Sequence, residues 1–141
     1  MRFELPADKK LAFSTQLDVK WGDMDAYGHV NNAMYFKYME HVRIEWLRSQ
    51  SLPQTAASAG VFVANTFCSY LRPLVFPDVI DIQLYVSPPG RSSLDTWVTM
   101  AKIGRPDVLC ATGGATLVWI DLKSQQPTPI PVAIRQLLER V

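Results

Sequence analysis

WGDMDAYGHVNNAMYFKYMEH, residues 21–41, changes character halfway along its length. Its first half is polar and turn-forming, with Asp23, Asp25, Gly28, His29, Asn31 and Asn32 close together. In the second half Tyr35, Tyr38 or Met39, Val42 and Trp46 recur every three to four residues, the interval that stacks side chains along one stripe of an α-helix. The spacing predicts a helix from about Asn31 to Arg48 with a buried middle, leaving Lys37, Arg43 and Arg48 outside the apolar stripe. Asn31 or Asn32 suits the N-cap, because a short amide oxygen can accept from the first unpaired backbone N–H groups.

Outward from this stretch the pattern turns to strands. Residues 13–21, FSTQLDVKW, alternate weakly and read as an edge strand feeding the polar loop. After the helix, SLPQTAASAG (51–60) reads as a loop punctuated by Pro53 and Gly60, with a short helical turn across its alanines. VFVANTFCSYLRP, VIDIQLYVS, SLDTWVTMAKI and DVLCATGGATLVWIDL follow as four long strands, separated by the turn signals LVFPD, PPGR and GRPD. Short connections between long strands favour an antiparallel meander or near-meander. The small residues at 111–115 leave room for a helix to lie close on that sheet. TPIPVAIRQLLERV closes the chain as a Pro-rich lead into a short helix. Because one long helix covers little of a five-stranded sheet, association through another surface is expected.

The totals narrow the function classes. At 141 residues the chain is expected to form one domain, 1–141, with a core of its own. Fourteen Lys and Arg balance 13 Asp and Glu for a net charge of +1, so no broad basic face for nucleic acid is implied. Glu4 and Asp8 interrupt the N-terminal stretch and no apolar run is long enough to span a bilayer, so no membrane association and a cytoplasmic location are expected. Cys68 and Cys110 are too few and too far apart for a disulfide framework or a metal knuckle, and are expected as small buried residues.

The polar loop can be read in two ways. A carboxylate just before a helix stands beside unpaired amides and the positive end of the helix dipole, and those amides can hold an oxyanion. A carbonyl aimed at the helix start would be polarised while Asp25 acts as nucleophile or general base, the layout for acyl transfer to water. On the other reading Asp23 and Asp25 only form Asx turns and caps, Gly28 takes a positive φ and His29 is a satisfied buried polar residue. No G-x-S-x-G elbow, H-E-x-x-H or paired C-x-x-C is present, and His29 and His41 are badly spaced as a helical metal pair. Carboxylate chemistry without metal or cofactor remains.

WGDMDAYGHVNNAMYFKYMEHVRIEWL (21–47) resembles the signature of the hotdog-fold acyl-CoA thioesterases of the 4-hydroxybenzoyl-CoA thioesterase type, an aromatic-x-D-x-D-x-x-G-x-V-x-x-x-x-Y segment opening the central helix. The resemblance continues more loosely through YLRPLVFPDVIDIQLYV and ATGGATLVWIDL to the final PIP and helix. It implies an α+β hotdog fold, a five-stranded antiparallel sheet wrapped around a long central helix. It also implies a homodimer, a dimer of dimers, and active sites at the subunit boundary. The second aspartate of D-x-D maps onto Asp25 as the catalytic carboxylate, with the backbone N–H of Asn32 or its immediate neighbour polarising the thioester carbonyl, and Asp23 ordering the loop.

The substrate implied is an acyl-CoA, or an acyl carrier protein thioester. Gly28 and Tyr35, with Tyr38, are candidate substrate contacts, and Arg72, Arg91, Lys102 and Arg105 are candidate cations for the CoA phosphates. Where some members carry other residues, this loop has GHVNN, which makes His29 a candidate partner of Asp25 or of a water. Glu40 and His41 lie mid-helix; a buried, paired Glu40 is one reading, and a partly solvated helix face is the simpler account. Two rivals stay open: a non-catalytic acyl-CoA-binding module, and a hotdog-fold enoyl-CoA hydratase or dehydratase, which the D-x-D argues against.

Overall fold

Alternation builds the sheet. In VIDIQLYV, Ile80, Ile82, Leu84 and Val86 are buried while the residues between them are only partly so, which sets one face of this strand against the core. The computed structural model describes residues 3–50 and 58–141, and orders them as β1 (Lys10–Asp18), a 3₁₀ turn (Trp21–Asp23), α1 (Asn32–Ser49), β2 (Ala59–Tyr70), β3 (Val79–Val86), β4 (Ser93–Lys102), β5 (Leu109–Asp121) and α2 (Val132–Glu139). All five strands are antiparallel in the order β1-β3-β4-β5-β2. With α1 against the sheet this is the expected α+β hotdog fold.

The meander expectation holds for β3, β4 and β5, whereas β2 crosses the sheet to pair with the far side of β5. Two features of LRPLVFPD explain the crossing. Leu71 and Arg72 still donate to Cys110 O, so the chain leaves β2 on the β5 side, and Leu74 is then fully buried as the chain passes to β3. Pro73 and Pro77 lack the N–H groups a hairpin ladder would need. The first strand lies at the other edge, as expected, but runs Lys10–Asp18 rather than 13–21. Lys20 N–H donates to Asp23 Oδ2 at 2.9 Å and Asp23 N–H to Lys20 O at 3.0 Å, which curls Trp21 out of the strand. Residues 51–57, most of the expected loop and helical turn, lie outside the described residues; Ala59 and Gly60 already belong to β2.

The α1 helix buries Tyr35, Tyr38, Met39, Val42 and Trp46 as its spacing requires. Burial of side chains this size contributes roughly 1.5–3 kcal/mol each. A Cβ on Gly113 would collide with Met39 Sδ and come within 2.7 Å of Phe67 O, so the glycine on β5 is what lets the helix sit close. Arg43 departs from expectation: it is only 8% exposed. It follows Val42 on the flank of the stripe, and its stem lies along an apolar groove between α1 and β2. Behind the sheet's end, α2 packs Ile134, Leu137 and Leu138 inward. Cys110 is buried and Cys68 half-buried; burial pushes the Cys68 thiol up to about 11.

Candidate active site

Between β1 and α1 the loop is tied at three levels. The outermost tie is Asp23, whose Oδ2 accepts from Tyr38 O–H at 2.7 Å in addition to Lys20 N–H, and whose carbonyl accepts from Asn31 N–H at 2.9 Å. This is the loop-ordering part assigned to Asp23. Burial, then the carboxylate, hold the Tyr38 phenol well above its ordinary range. The middle tie is a one-bridge pairing of Met24 with Val30, with Val30 N–H donating to Leu74 O at 2.8 Å.

At the tip, Gly28 N–H donates to Asp25 O and Asp25 N–H to His29 O, both at 3.0 Å, and Gly28 supplies the required positive φ of 78°. Asp25 Oδ1 accepts from Tyr27 N–H at 2.9 Å, an Asx turn. Its Oδ2 accepts from Asn31 Nδ2 at 3.3 Å. The Oδ1 of the same Asn31 accepts from Ala33 N–H at 2.8 Å and caps α1. One amide thus joins the carboxylate to the helix start. Sequence reasoning saw Asn31 only as a cap, because its second bond depends on how the loop folds back.

With Ala33 N–H occupied by the cap, Asn32 N–H is the first-turn amide that makes no hydrogen bond among the described residues. Asn32 also lines a cavity of about 290 Å³ with His29, Val30, Tyr35, Tyr70, Leu71, Arg72 and Pro73. Four candidates, Asn32, His29, Tyr35 and Arg72, therefore meet there. His29 is exposed rather than a buried polar residue, and Asp25 and Gly28 sit in the adjoining turn. Tyr70 on β2 was not singled out from sequence; its hydroxyl donates to Asn32 O at 3.0 Å and its ring meets Tyr35 edge-on, 4.9 Å between centroids. Burial raises the pKa of both phenols, so they stay neutral at ordinary pH.

The cations divide. Arg72 stays at the cavity with one guanidinium nitrogen donating to Leu109 O at 2.7 Å. Arg91 is not brought there: its carbonyl accepts from Ile130 N–H and from Arg135 at the α2 end. Lys102 pairs with Asp78 at 3.2 Å, and Arg105 lies 4.0 Å from Asp107 in the open. Among the described residues no cluster of three or more His, Cys, Asp or Glu is gathered in metal-binding geometry. No helix among them is long and apolar enough to cross a membrane.

Comparison with known proteins converges on one family. The model of the thioesterase-like superfamily matches residues 19–138. The long-chain acyl-CoA thioesterase FadM of Escherichia coli is 31% identical over 131 residues, covering 90% of this chain and 97% of that one. A chloroplastic acyl-acyl carrier protein thioesterase of Arabidopsis thaliana, ATL3, is 29% identical over 140 residues, 94% of this chain and 72% of its own. Among solved structures the PA2801 protein of Pseudomonas aeruginosa superposes with a TM-score of 0.84 at 33% identity, covering 92% of this chain and 99% of that one.

Proposed function

Because the chain belongs to the thioesterase-like superfamily and is an acyl thioester hydrolase, we propose that Asp25 and the helix-start amide of Asn32 cleave an acyl-CoA to free acid and thiol. The observation that carries this reading is the pair of hydrogen bonds made by the Asn31 amide: it ties a half-buried carboxylate to the helix start, where Asn32 N–H makes no hydrogen bond among the described residues. The thioester oxygen accepts from Asn32 N–H, which stabilises the negative charge that grows there during attack. Asp25 supplies the attack. As nucleophile it forms a C–O bond while the C–S bond breaks, and water then opens the mixed anhydride; as general base it takes the proton of the attacking water. Both routes use the same two groups.

Within this proposal Arg72 meets the phosphates of CoA, His29, Gly28 and Tyr35 border the thioester, and 1–141 works as one catalytic domain. CoA rather than a carrier protein is favoured by the likeness to FadM, which spans nearly that whole chain. A cytosolic location fits two cysteines that are both free. Two copies join through β2, an edge strand whose Val61, Phe62 and Val63 are 37%, 51% and 49% exposed, an apolar edge that an isolated chain would leave open to aggregation. The aromatic ladder Phe3, Phe67 and Trp97 on the opposite face suits pairing of dimers.

Thiol release from short, medium, long and aromatic acyl-CoAs, measured for wild type and Asp25→Asn together, tests the reading. Wild type should release thiol, and the variant should lose on the order of 10²-fold or more in kcat. A folded Asp25→Asn protein with unchanged kcat would overturn the assignment.

A further inference from the structure

Arg43 is one of two side chains among the described residues with a buried polar atom that has no hydrogen-bond partner, the other being Glu45, which lies 3.2 Å from His41. Arg43 is more than nine-tenths buried, its Nη1 has no hydrogen-bond partner among them, and burial lowers its pKa, an effect that the charge of Glu40 on the same helix only partly opposes. It lies in the groove of about 410 Å³ between α1 and β2, whose walls include Phe36, Ile44, Leu47, Val61, Phe62 and Leu117. A buried guanidinium nitrogen with no acceptor is costly, and Glu40 of the same chain makes no hydrogen bond to it, so this position favours an acceptor from outside the chain. Glu40 lies in the same groove one turn earlier, exposed, and takes part in no hydrogen bond or ion pair among the described residues.

We infer that Arg43 of each copy pairs with Glu40 of the partner subunit, and Glu40 with the partner's Arg43, across the two-fold axis of the dimer proposed above. A two-fold interface requires that if position i touches j, then j touches i. A buried cation and an exposed carboxylate three residues apart on one helix face, with no hydrogen bond or close ion pair between them, meet that condition when two copies of α1 run antiparallel, with the axis between residues 40 and 43. The sheet edge places the axis at the same level. Tyr70 bonds to Asn32, so α1 and β2 run side by side in opposite directions from that point. The midpoint of Glu40 and Arg43 lies about 14 Å along the helix from Asn32. The middle of β2, at Ala64 and Asn65, lies about 18 Å along the strand from Tyr70. One axis can therefore pass through the centre of an antiparallel β2 pairing and between the two ion pairs. The partner would then roof the apolar groove that α1 and β2 leave open.

The inference rests on the proposed association of two copies, and sedimentation of charge-reversed chains separates the two. Glu40→Arg gives a chain with two cations on this face, and Arg43→Glu a chain with two carboxylates. Each alone should dimerise at least tenfold more weakly than wild type, and an equimolar mixture should regain association, because a mixed dimer restores both opposite-charge contacts. A pair within one chain cannot produce that rescue. Should Arg43→Glu not fold, Glu40→Gln, at a position exposed in the single chain, should still weaken the dimer at least tenfold with an unchanged circular dichroism spectrum. A wild type that remains monomeric overturns the dimer and the pair together. A dimeric wild type whose variants associate equally well, or whose mixture shows no rescue, overturns the pair alone.

Discussion

Asn31 holds Asp25 and the first turn of α1 with opposite ends of one amide: Nδ2 reaches Asp25 Oδ2 at 3.3 Å while Oδ1 caps Ala33 N–H at 2.8 Å. The two bonds can be separated by substitution. Asn31→Asp keeps a strong cap but replaces the donor with a carboxylate facing Asp25, and two like charges sharing a site disfavour ionisation of one of them. With the donor gone, kcat should fall even where stability is kept. Asn31→Ala loses the cap as well and should cost about 1 kcal/mol in urea unfolding. An unchanged kcat in Asn31→Asp would show that the 3.3 Å contact does not position Asp25 for the reaction.

Arg72 is the cation that the fold keeps at the cavity while Lys102 pairs with Asp78 and Arg91 goes to the α2 end. A phosphate contact distant from the reacting carbon is made in the ground state and the transition state alike, so its removal raises KM and leaves kcat. Arg72→Ala should raise KM for an acyl-CoA several-fold, more at low than at high ionic strength. For the same acyl group on a short thiol without phosphates, KM should be unchanged. Equal losses on both substrates would assign Arg72 to the carbonyl end instead.

The sequence carried the elements whose signal is local. The stripe from Tyr35 to Trp46 marked α1, Asn31 or Asn32 its cap, of which Asn31 is the one used, and the small residues at 111–115, Gly113 among them, the place where the helix approaches. The crossing of β2 was not legible, because β2 and β3 are neighbours in the chain and only the burial of Leu74 and the bonds to Cys110 O show that they part. Arg43 was misplaced for a related reason: helical spacing puts it at the stripe's margin, and only the position of β2 decides whether a margin is wet or covered. In the site, Asp25 was a candidate from its place before a helix and Asn32 from the family resemblance, and the fold brings both to the start of α1. Tyr70 was not a candidate, since it arrives from a strand 38 positions away.

Tyr38 gives the protein an alkaline limit. Its folded-state pKa is raised above the ordinary 10.0, by burial first and then by its bond to the Asp23 carboxylate. The proton is thus held more tightly in the folded chain than in the unfolded one. The corresponding stabilisation is complete below pH 10 and is lost as pH rises from there toward the folded value. Tyr35, Tyr70 and Cys68 are shifted in the same direction and add to the slope. Urea midpoints should fall steeply above pH 10 for wild type, and less steeply for Tyr38→Phe. At neutral pH the same variant should lose roughly 1 kcal/mol for the missing bond to Asp23. Parallel pH dependences for the two proteins would show that Tyr38 does not govern the limit.

Gly113 sets the depth at which α1 rests on the sheet. Its missing Cβ leaves the space occupied by Met39 Sδ, and on the other side Phe67 O lies 2.7 Å from where that Cβ would be. The methionine can yield by changing rotamer, but the carbonyl belongs to the β2 ladder and cannot move without disturbing it. Gly113→Ala should therefore cost about 1–3 kcal/mol, the usual range for overpacking. Adding Met39→Ala should recover little of this, because the obstacle that remains is backbone. Thermal unfolding of the single and double variants decides the point: near-complete recovery in the double variant would make the helix contact, rather than the strand, the reason for a glycine at this position.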